Sequence, residues 1–293
     1  MIIVIVGPTG VGKSSLALRV AKDYNGVIIN GDAFQSYIGM DIGTAKPTKE
    51  ERSLVPHYLF DYVDPSTSFT IFEYQKNLRE KLDELKGKNI IIVGGSGLYL
   101  KSALYDFTLS KDESHVDLSE YEKLDNEALH NKLKELDEEA SKAIHMNNRR
   151  RVLRAIEICL SQGKKKTDIE ACQEHKPLYD VKFIGLTKER EELYSLINKR
   201  VDLMVEQGLL DEVKSLMNKY PHDLRSFQAI GYKEIIEALD NNLPIEGALD
   251  KVKQLSRNYA KRQFTYFKHQ LPVEWFEDKD KAYEYIASFF AKK

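Results

Sequence analysis

Cysteine is nearly absent: Cys159 and Cys172 are the only 2 in 293 residues. They stand far from C-x-x-C spacing, which excludes a disulfide framework and a cysteine zinc site and sets the expectation of a reducing cytoplasm. No apolar run reaches membrane-spanning length, so no membrane is expected as a partner. Met1 opens straight into a strand-like run, so no signal peptide is expected. Excess charge of one sign is missing too: 44 Lys+Arg against 46 Asp+Glu give −2, which argues against a protein that coats nucleic acid indiscriminately. Internal repeats and low-complexity linkers are not found. With 42% hydrophobic residues the composition is that of a folded protein, of one large or two modest domains.

What is present begins at the N-terminus. Met1–Val6, apolar and rich in β-branched residues, reads as a buried parallel strand. It leads into Gly7, Pro8, Thr9, Gly10, Val11, Gly12, Lys13 and Ser14, then into the helix-like Leu16–Ala21. The spacing is G-x-x-x-x-G-K-[ST], that of a phosphate-binding loop between strand and helix. Its glycines let successive N–H groups face one anion, with a helix N-terminus behind them. Lys13 supplies a point charge and the Ser14 hydroxyl is placed to ligate Mg²⁺, so a ligand carrying phosphate or diphosphate is expected.

A second strand, Gly26–Asn30, ends in Gly31 and Asp32; a third, Ile90–Val93, ends in Gly94–Gly97 before the helical Leu98–Leu104. Ligands of open α/β sheets sit outside the carboxyl ends of the strands, which places Asp32 beside the phosphate loop. The expected fold is α/β, a P-loop NTPase-like parallel sheet flanked by helices, from residues 1–113 and 181–293. A helical insertion domain is expected over residues 114–180, with the composition changing near Lys111. Met40–Pro47 is loop-like, and the prolines at 56 and 65 mark a surface excursion before a helix at Ile71–Lys86, capped by Ser68. Acidic residues dominate 112–139, on a pattern of solvated helices. The sign then flips at Arg149–Arg151, Arg154 and Lys164–Lys166. A helix over Asn148–Ser161 sets Arg150 and Arg154 on one face, with Val152, Ile156 and Cys159 behind them. Beyond a strand at Val181–Leu186, helices are expected over Lys188–Gln207, Leu210–Tyr220, Phe227–Leu239 and Ile245–His269. The last of these carries basic residues from Lys251 to Lys268 with no acid among them, interleaved with Tyr259, Phe264, Tyr266 and Phe267. A strand at Val273–Phe276 and a helix over Lys279–Ala291 close the chain.

A phosphate loop alone admits a kinase, an NTPase or an enzyme of a diphosphate substrate. An NTPase usually places an acid at the end of a later buried strand. Here Ile90–Val93 runs into Gly94 and Gly95 instead, and the only strand-end carboxylate beside the phosphate loop is Asp32. It suits either a water-mediated Mg²⁺ ligand or a general base toward a second substrate.

Further motifs carry a specific resemblance. Gly39–Pro47 (GMDIGTAKP), Pro56–Pro65, Val93–Tyr99, Arg150–Glu157, Gly208–Val213 (GLLDEV), Ala229–Tyr232 and Lys261–Thr265 stand in the order and with the content of the bacterial-type tRNA dimethylallyltransferase, or IPP transferase, family. The chain resembles that family over nearly its whole length. The resemblance implies transfer of a dimethylallyl group from dimethylallyl diphosphate to N6 of the adenosine 3′ of a tRNA anticodon, by a cytoplasmic monomer. It implies that Thr9, Lys13 and Ser14 bind the diphosphate with Mg²⁺. Asp32 would accept the N6 proton, and Arg200 would clamp the diphosphate from the other side. Contacts to tRNA are implied for Asp32, Ala33, Phe34, Gln35, Gly97, Arg150, Arg151, Arg154, Gln228, Gly231, Tyr232, Lys233, Lys261 and Arg262. Two departures stand out: Ala33 replaces a common serine and Tyr266 a common tryptophan. The rival expectations are an adenylate isopentenyltransferase using free AMP, a small-molecule kinase, and a P-loop RNA-binding module without turnover.

Overall fold

The structure, a computed structural model, describes residues 1–107, 109, 116–171 and 175–291. Cys172 and the compositional change at 111–114 lie outside the described residues. The chain divides into two compact units, Met1–Leu104 with Leu178–Lys293, and Tyr105–Pro177.

The first unit is built on a six-stranded sheet. Its elements up to residue 104 are β1 (Ile2–Val6), α1 (Lys13–Asp23), β2 (Gly26–Asn30), α2 (Lys49–Leu54), β3 (His57–Tyr58), α3 (Ile71–Glu84), β4 (Asn89–Val93) and α4 (Gly97–Leu104). In the second unit follow α5 (Ser119–Glu122), α6 (Asn126–Leu136), α7 (Glu138–Ala143), α8 (Arg149–Gln162) and α9 (Lys166–Ala171). The first unit resumes with β5 (Val181–Leu186), α10 (Arg190–Glu206), α11 (Leu209–Lys219), α12 (Tyr232–Asp240), α13 (Ile245–Gln270), β6 (Val273–Phe276) and α14 (Lys279–Phe290).

All strand pairs are parallel, in the order β3-β2-β4-β1-β5-β6. Such a sheet is stable only with both faces covered, which accounts for the unbroken apolar runs of β1 and β4. The shared direction brings the ends of β1, β2 and β4 to one edge. There the turns after β2 and β4 touch: a Cβ built on Gly94 would lie 2.0 Å from the carbonyl carbon of Gly31. The Gly31 N–H donates to Val93 O at 2.8 Å. Glycine at 94 is what lets the acid after β2 sit beside the turn after β4, and a Cβ on Gly31 would be crowded too, at 3.1 Å from the Gly94 nitrogen.

Several local expectations are corrected. Thr70, not Ser68, caps α3: its hydroxyl accepts the Glu73 N–H while the Glu73 carboxylate accepts the Thr70 N–H at 2.6 Å, a reciprocal pair that outcompetes the earlier serine. The helix expected from Phe227 starts at Tyr232, because Gly231 has φ 102° and Ser226–Gln228 form a separate 3₁₀ turn. Helix α2 and the two-residue edge strand β3 fall inside the stretch read as a surface excursion.

The second unit contains helices and no strand among its described residues, around Leu129, Leu133, Val152, Ala155 and Ile156. Asp137, in the stretch read as solvated, is fully buried. It caps α7 through the Ala140 N–H at 3.0 Å and accepts the Thr167 N–H at 2.9 Å, tying α7 to α9. Among the described residues no helix is long and apolar enough to cross a membrane.

Gly94→Ala is expected to destabilise the protein by about 1–3 kcal/mol, because the methyl group meets backbone that cannot yield. Gly247, in the first turn of α13, has nothing within 4 Å of its Cβ position. Gly247→Ala is expected to raise stability by up to about 1 kcal/mol. Urea unfolding midpoints of the two variants measure both.

Candidate active site

The phosphate loop is shaped by glycines at positive φ: Gly7 at 137°, Gly10 at 89° and Gly12 at 88°. A Cβ on Gly7 would strike the Leu186 carbonyl oxygen at 2.2 Å, so the loop leaves β1 pressed against the end of β5. Gly12 caps α1, whose first residue is Lys13. The Lys13 ammonium donates to Pro8 O at 2.6 Å, folding back across its own loop.

Asp32 stands on a turn that Asn30 holds. Fully buried Asn30 accepts the Asp32 N–H at 2.8 Å and donates to the Asp32 carbonyl at 2.8 Å and to Leu59 O at 2.9 Å. The carboxylate of Asp32 accepts the Phe34 N–H at 3.1 Å. Ala33, where the family commonly has serine, donates its N–H to Ser96 Oγ at 3.2 Å.

Asp32, Lys13 and Arg200 line one cavity of about 630 Å³ within the first unit. Burial raises the pKa of Asp32, with the Phe34 N–H, Lys13 and Arg200 opposing the rise. Lys13 is pushed down to about 7, first by burial and then by Arg200, with Asp32 acting the other way. Burial also lowers Arg200 below its ordinary value, against the pull of Asp32. Two recessed cations that disfavour each other's charge form a site that an anion stabilises.

Among the described residues no three His, Cys, Asp or Glu side chains gather as a metal cage. The oxygen donors lining the cavity include the Ser14 hydroxyl and Asp32. Such hard, sparse donors fit Mg²⁺, which keeps several waters and takes further ligands from substrate phosphates.

Of the residues singled out in the sequence, Thr9, Gly10, Gly12, Lys13, Ser14, Asp32, Phe34, Gln35, Arg200, Gln228, Gly231 and Arg262 line this cavity. Val11 is buried in the sheet core. Lys233 and Lys261 are exposed on α12 and α13, and Arg150, Arg151 and Arg154 on α8 of the second unit. Two expected tRNA contacts are corrected by burial. The Tyr232 side chain is 0% exposed and spends its hydroxyl on Glu212 at 2.6 Å, so it has no face for RNA. Gly97 is buried, and a Cβ there would lie 2.4 Å from the Tyr266 ring, so its smallness serves the packing of α4 on α13.

Sequence reasoning missed Gln263. It is 5% exposed; its side-chain oxygen accepts the Thr9 N–H at 3.1 Å and its amide donates to Gly95 O at 3.1 Å. Tyr259, one turn earlier on α13, hydrogen-bonds with Ser96 and Gln263, and burial pushes its pKa up. The signal available was a glutamine between Lys261, Arg262 and aromatic neighbours, a polar residue on the buried face of a basic helix.

A family model described as IPP transferase matches residues 35–270. The chain belongs to the IPP transferase family. The tRNA dimethylallyltransferase of Bacillus velezensis is 49% identical over 281 residues, 94% of this chain and 90% of that one. Among solved structures, a tRNA delta(2)-isopentenylpyrophosphate transferase from Staphylococcus epidermidis matches with TM-score 0.74 at 42% identity, covering 99% of this chain and 98% of that chain. A eukaryotic dimethylallyltransferase acting on tRNA matches with TM-score 0.85 at 28% identity, covering 100% of this chain and 80% of that one. In this IPP transferase the phosphate loop and Asp32 precede the residues matched by the family model.

Gln263→Leu removes the acceptor of the Thr9 N–H and the donor to Gly95. It is expected to cost about 1–3 kcal/mol for each buried group left unpaired. It is also expected to weaken binding of inorganic pyrophosphate, because the loop loses its brace. Urea unfolding and calorimetric titration with pyrophosphate check the two effects.

Proposed function

We propose that this IPP transferase moves a dimethylallyl group from dimethylallyl diphosphate to N6 of the adenosine on the 3′ side of a tRNA anticodon, releasing diphosphate. The observation that carries this chemistry is the meeting, in one cavity, of a phosphate loop, Arg200 and a carboxylate of raised pKa. A prenyl diphosphate needs the first two at its leaving group and the third at its acceptor.

The N6 lone pair is delocalised into the purine ring, so the amine is a poor nucleophile. As the N6–C1 bond forms, the C1–O bond breaks and its electron pair leaves with the diphosphate. Asp32 takes the N6 proton; burial keeps its pKa above the ordinary carboxylate range, closer to the working pH of a general base. Lys13, Arg200 and the loop N–H groups stabilise the departing anion. Mg²⁺, held by Ser14 together with the diphosphate oxygens, would supply further neutralising charge. Reaching N6 requires the base to be turned out of the anticodon loop into the cavity. Arg262 at the cavity, exposed Lys261, and Arg150, Arg151 and Arg154 of the second unit are assigned to tRNA phosphates and bases. The enzyme is taken to work as a cytoplasmic monomer.

Incubation with dimethylallyl diphosphate and either an anticodon stem-loop or AMP tests the acceptor: prenylated stem-loop and unchanged AMP are expected, and the reverse would overturn the assignment. Asp32→Asn is expected to lower kcat by about 10²–10⁴ while pyrophosphate still binds. The wild-type single-turnover rate rises with pH through the raised pKa of Asp32, because the ionised carboxylate is the base; the Asp32→Asn profile is flat over that limb. Arg200→Ala raises KM for the prenyl donor and lowers kcat, since it touches the diphosphate in ground and transition states. An Asp32→Asn enzyme at the wild-type rate would show that the base lies elsewhere.

Replacing Arg150, Arg151 and Arg154 together by Ala is expected to weaken tRNA binding and flatten its salt dependence, with pyrophosphate binding unchanged. Filter-binding titrations over a range of salt measure this, and a wild-type salt slope would remove these arginines from the RNA surface.

A further inference from the structure

Among the motifs without a role in the chemistry above are GMDIGTAKP at Gly39–Pro47 and GLLDEV at Gly208–Val213. They clasp each other through one side chain. Glu212, in the first turn of α11, accepts the N–H groups of Asp41 at 2.9 Å, Ile42 at 2.8 Å and Gly43 at 3.1 Å. The Tyr232 hydroxyl donates to the same carboxylate at 2.6 Å.

The division of labour on that carboxylate is informative. One oxygen takes Asp41 and Ile42, the other takes Gly43 and the Tyr232 hydroxyl. A carboxylate accepts at about four lone-pair sites and donates nothing, so this clasp uses its full capacity. Glutamine is a poor replacement: turned one way its NH2 faces the N–H groups of Asp41 and Ile42, and turned the other way it faces the Gly43 N–H, with only the Tyr232 hydroxyl able to accept from it.

Both partners of the clasp lead directly to the cavity wall. The chain after Asp41 and Ile42 lines the cavity at Gly43, Thr44 and Ala45, and the residues just before Tyr232 line it at Gln228–Gly231. The contact is tight: a Cβ on Gly43 would lie 2.5 Å from the Tyr232 ring. From this wall a second link runs to the base, as Gln35 donates to Thr44 O at 2.9 Å and Ala45 O at 3.2 Å, three residues after Asp32. Lys46 closes the far side of the loop, its buried ammonium donating to Asp41 at 2.8 Å and to Asp61 and Tyr37 O. None of these residues belongs to the phosphate loop.

We propose that Glu212 is a positioning residue for the acceptor half of the site, bracing two loops that wall the cavity outside the phosphate loop and, through Gln35, the turn that carries Asp32. The proposal rests on the prenyl-transfer assignment above for which half binds the acceptor. A misplacement of that wall alters how the adenine is held against Asp32 and leaves the diphosphate contacts in place.

Glu212→Gln, Glu212→Asp and Tyr232→Phe test this in the full chain. Three readouts are used: KM and single-turnover rate with an anticodon stem-loop, Kd for inorganic pyrophosphate with Mg²⁺, and hydrogen exchange of the amides at 41–43. Glu212→Gln is expected to accelerate exchange at 41–43, raise the stem-loop KM, and lower the single-turnover rate by about 10–100-fold, the scale of a small misplacement at the reacting atoms. Its pyrophosphate Kd is expected to stay within about twofold of wild type. Glu212→Asp keeps the anion and is expected to recover part of the rate. Should Glu212→Gln fail to fold, Tyr232→Phe, which loses one hydrogen bond, is expected to show the same split on a smaller scale. Faster exchange with wild-type KM and rate would overturn the proposal, and so would equal losses in pyrophosphate and stem-loop binding. A wild-type enzyme that leaves the stem-loop unmodified would sink the acceptor assignment instead. The exchange and pyrophosphate data would then still decide whether Glu212 braces the wall independently of the phosphate loop.

Discussion

The cost of recessing charge at one sheet edge governs this molecule. Lys13, Arg200 and Asp32 lie together in a cavity where burial works against the charged form of each. The two cations disfavour one another, and the carboxylate relieves that only in part. A protein keeps such an arrangement when a ligand completes it, and a diphosphate brings the missing negative charge. The same constraint keeps Asp32 from being an ordinary solvated acid, which is what a base for a weakly nucleophilic amine requires.

Holding those groups in place falls to uncharged and structural polar residues. Asn30 fixes the turn of Asp32, Gln263 fixes Thr9 against Gly95, and Glu212 gathers the loop at 41–43. Each satisfies backbone groups that water would otherwise have to reach, so each trades an open loop for a defined one. Helix α13 illustrates the economy: Gln263 and Tyr259 brace the site, while Lys261 and Arg262 stay exposed. The helix that meets RNA in the proposed function thus also sets the shape of the diphosphate loop.

The family departures acquire physical meaning in this setting. Ala33 cannot offer a hydroxyl, but its N–H is already engaged by Ser96, so the turn holds without one. Tyr266 stands over Gly97, where a Cβ on residue 97 would meet its ring at 2.4 Å, so the close approach of α4 to α13 depends on the glycine.

The sequence by itself determined the sheet and its working edge. Apolar β-branched runs make buried parallel strands, and the glycine pattern after Val6 fixes a phosphate loop wherever it follows such a strand, because both depend on neighbours in the chain. Asp32 was legible for the same reason, as the acid that ends a strand. The boundaries that failed were decided by local competition: Thr70 over Ser68 as a cap, and Gly231 breaking an otherwise helical run. What only the tertiary structure decided were the contacts between residues remote in sequence. Gln263 reaches Thr9 across 254 positions and Glu212 reaches Ile42 across 170. Nothing in the spacing around a glutamine or glutamate reveals which distant amide it will satisfy. Tyr232 is a further case: the family resemblance implied a tRNA contact, whereas packing buries its ring and gives its hydroxyl to Glu212. Periodicity records which face of an element is apolar, but the partner of a buried polar group is fixed only when the chain closes on itself.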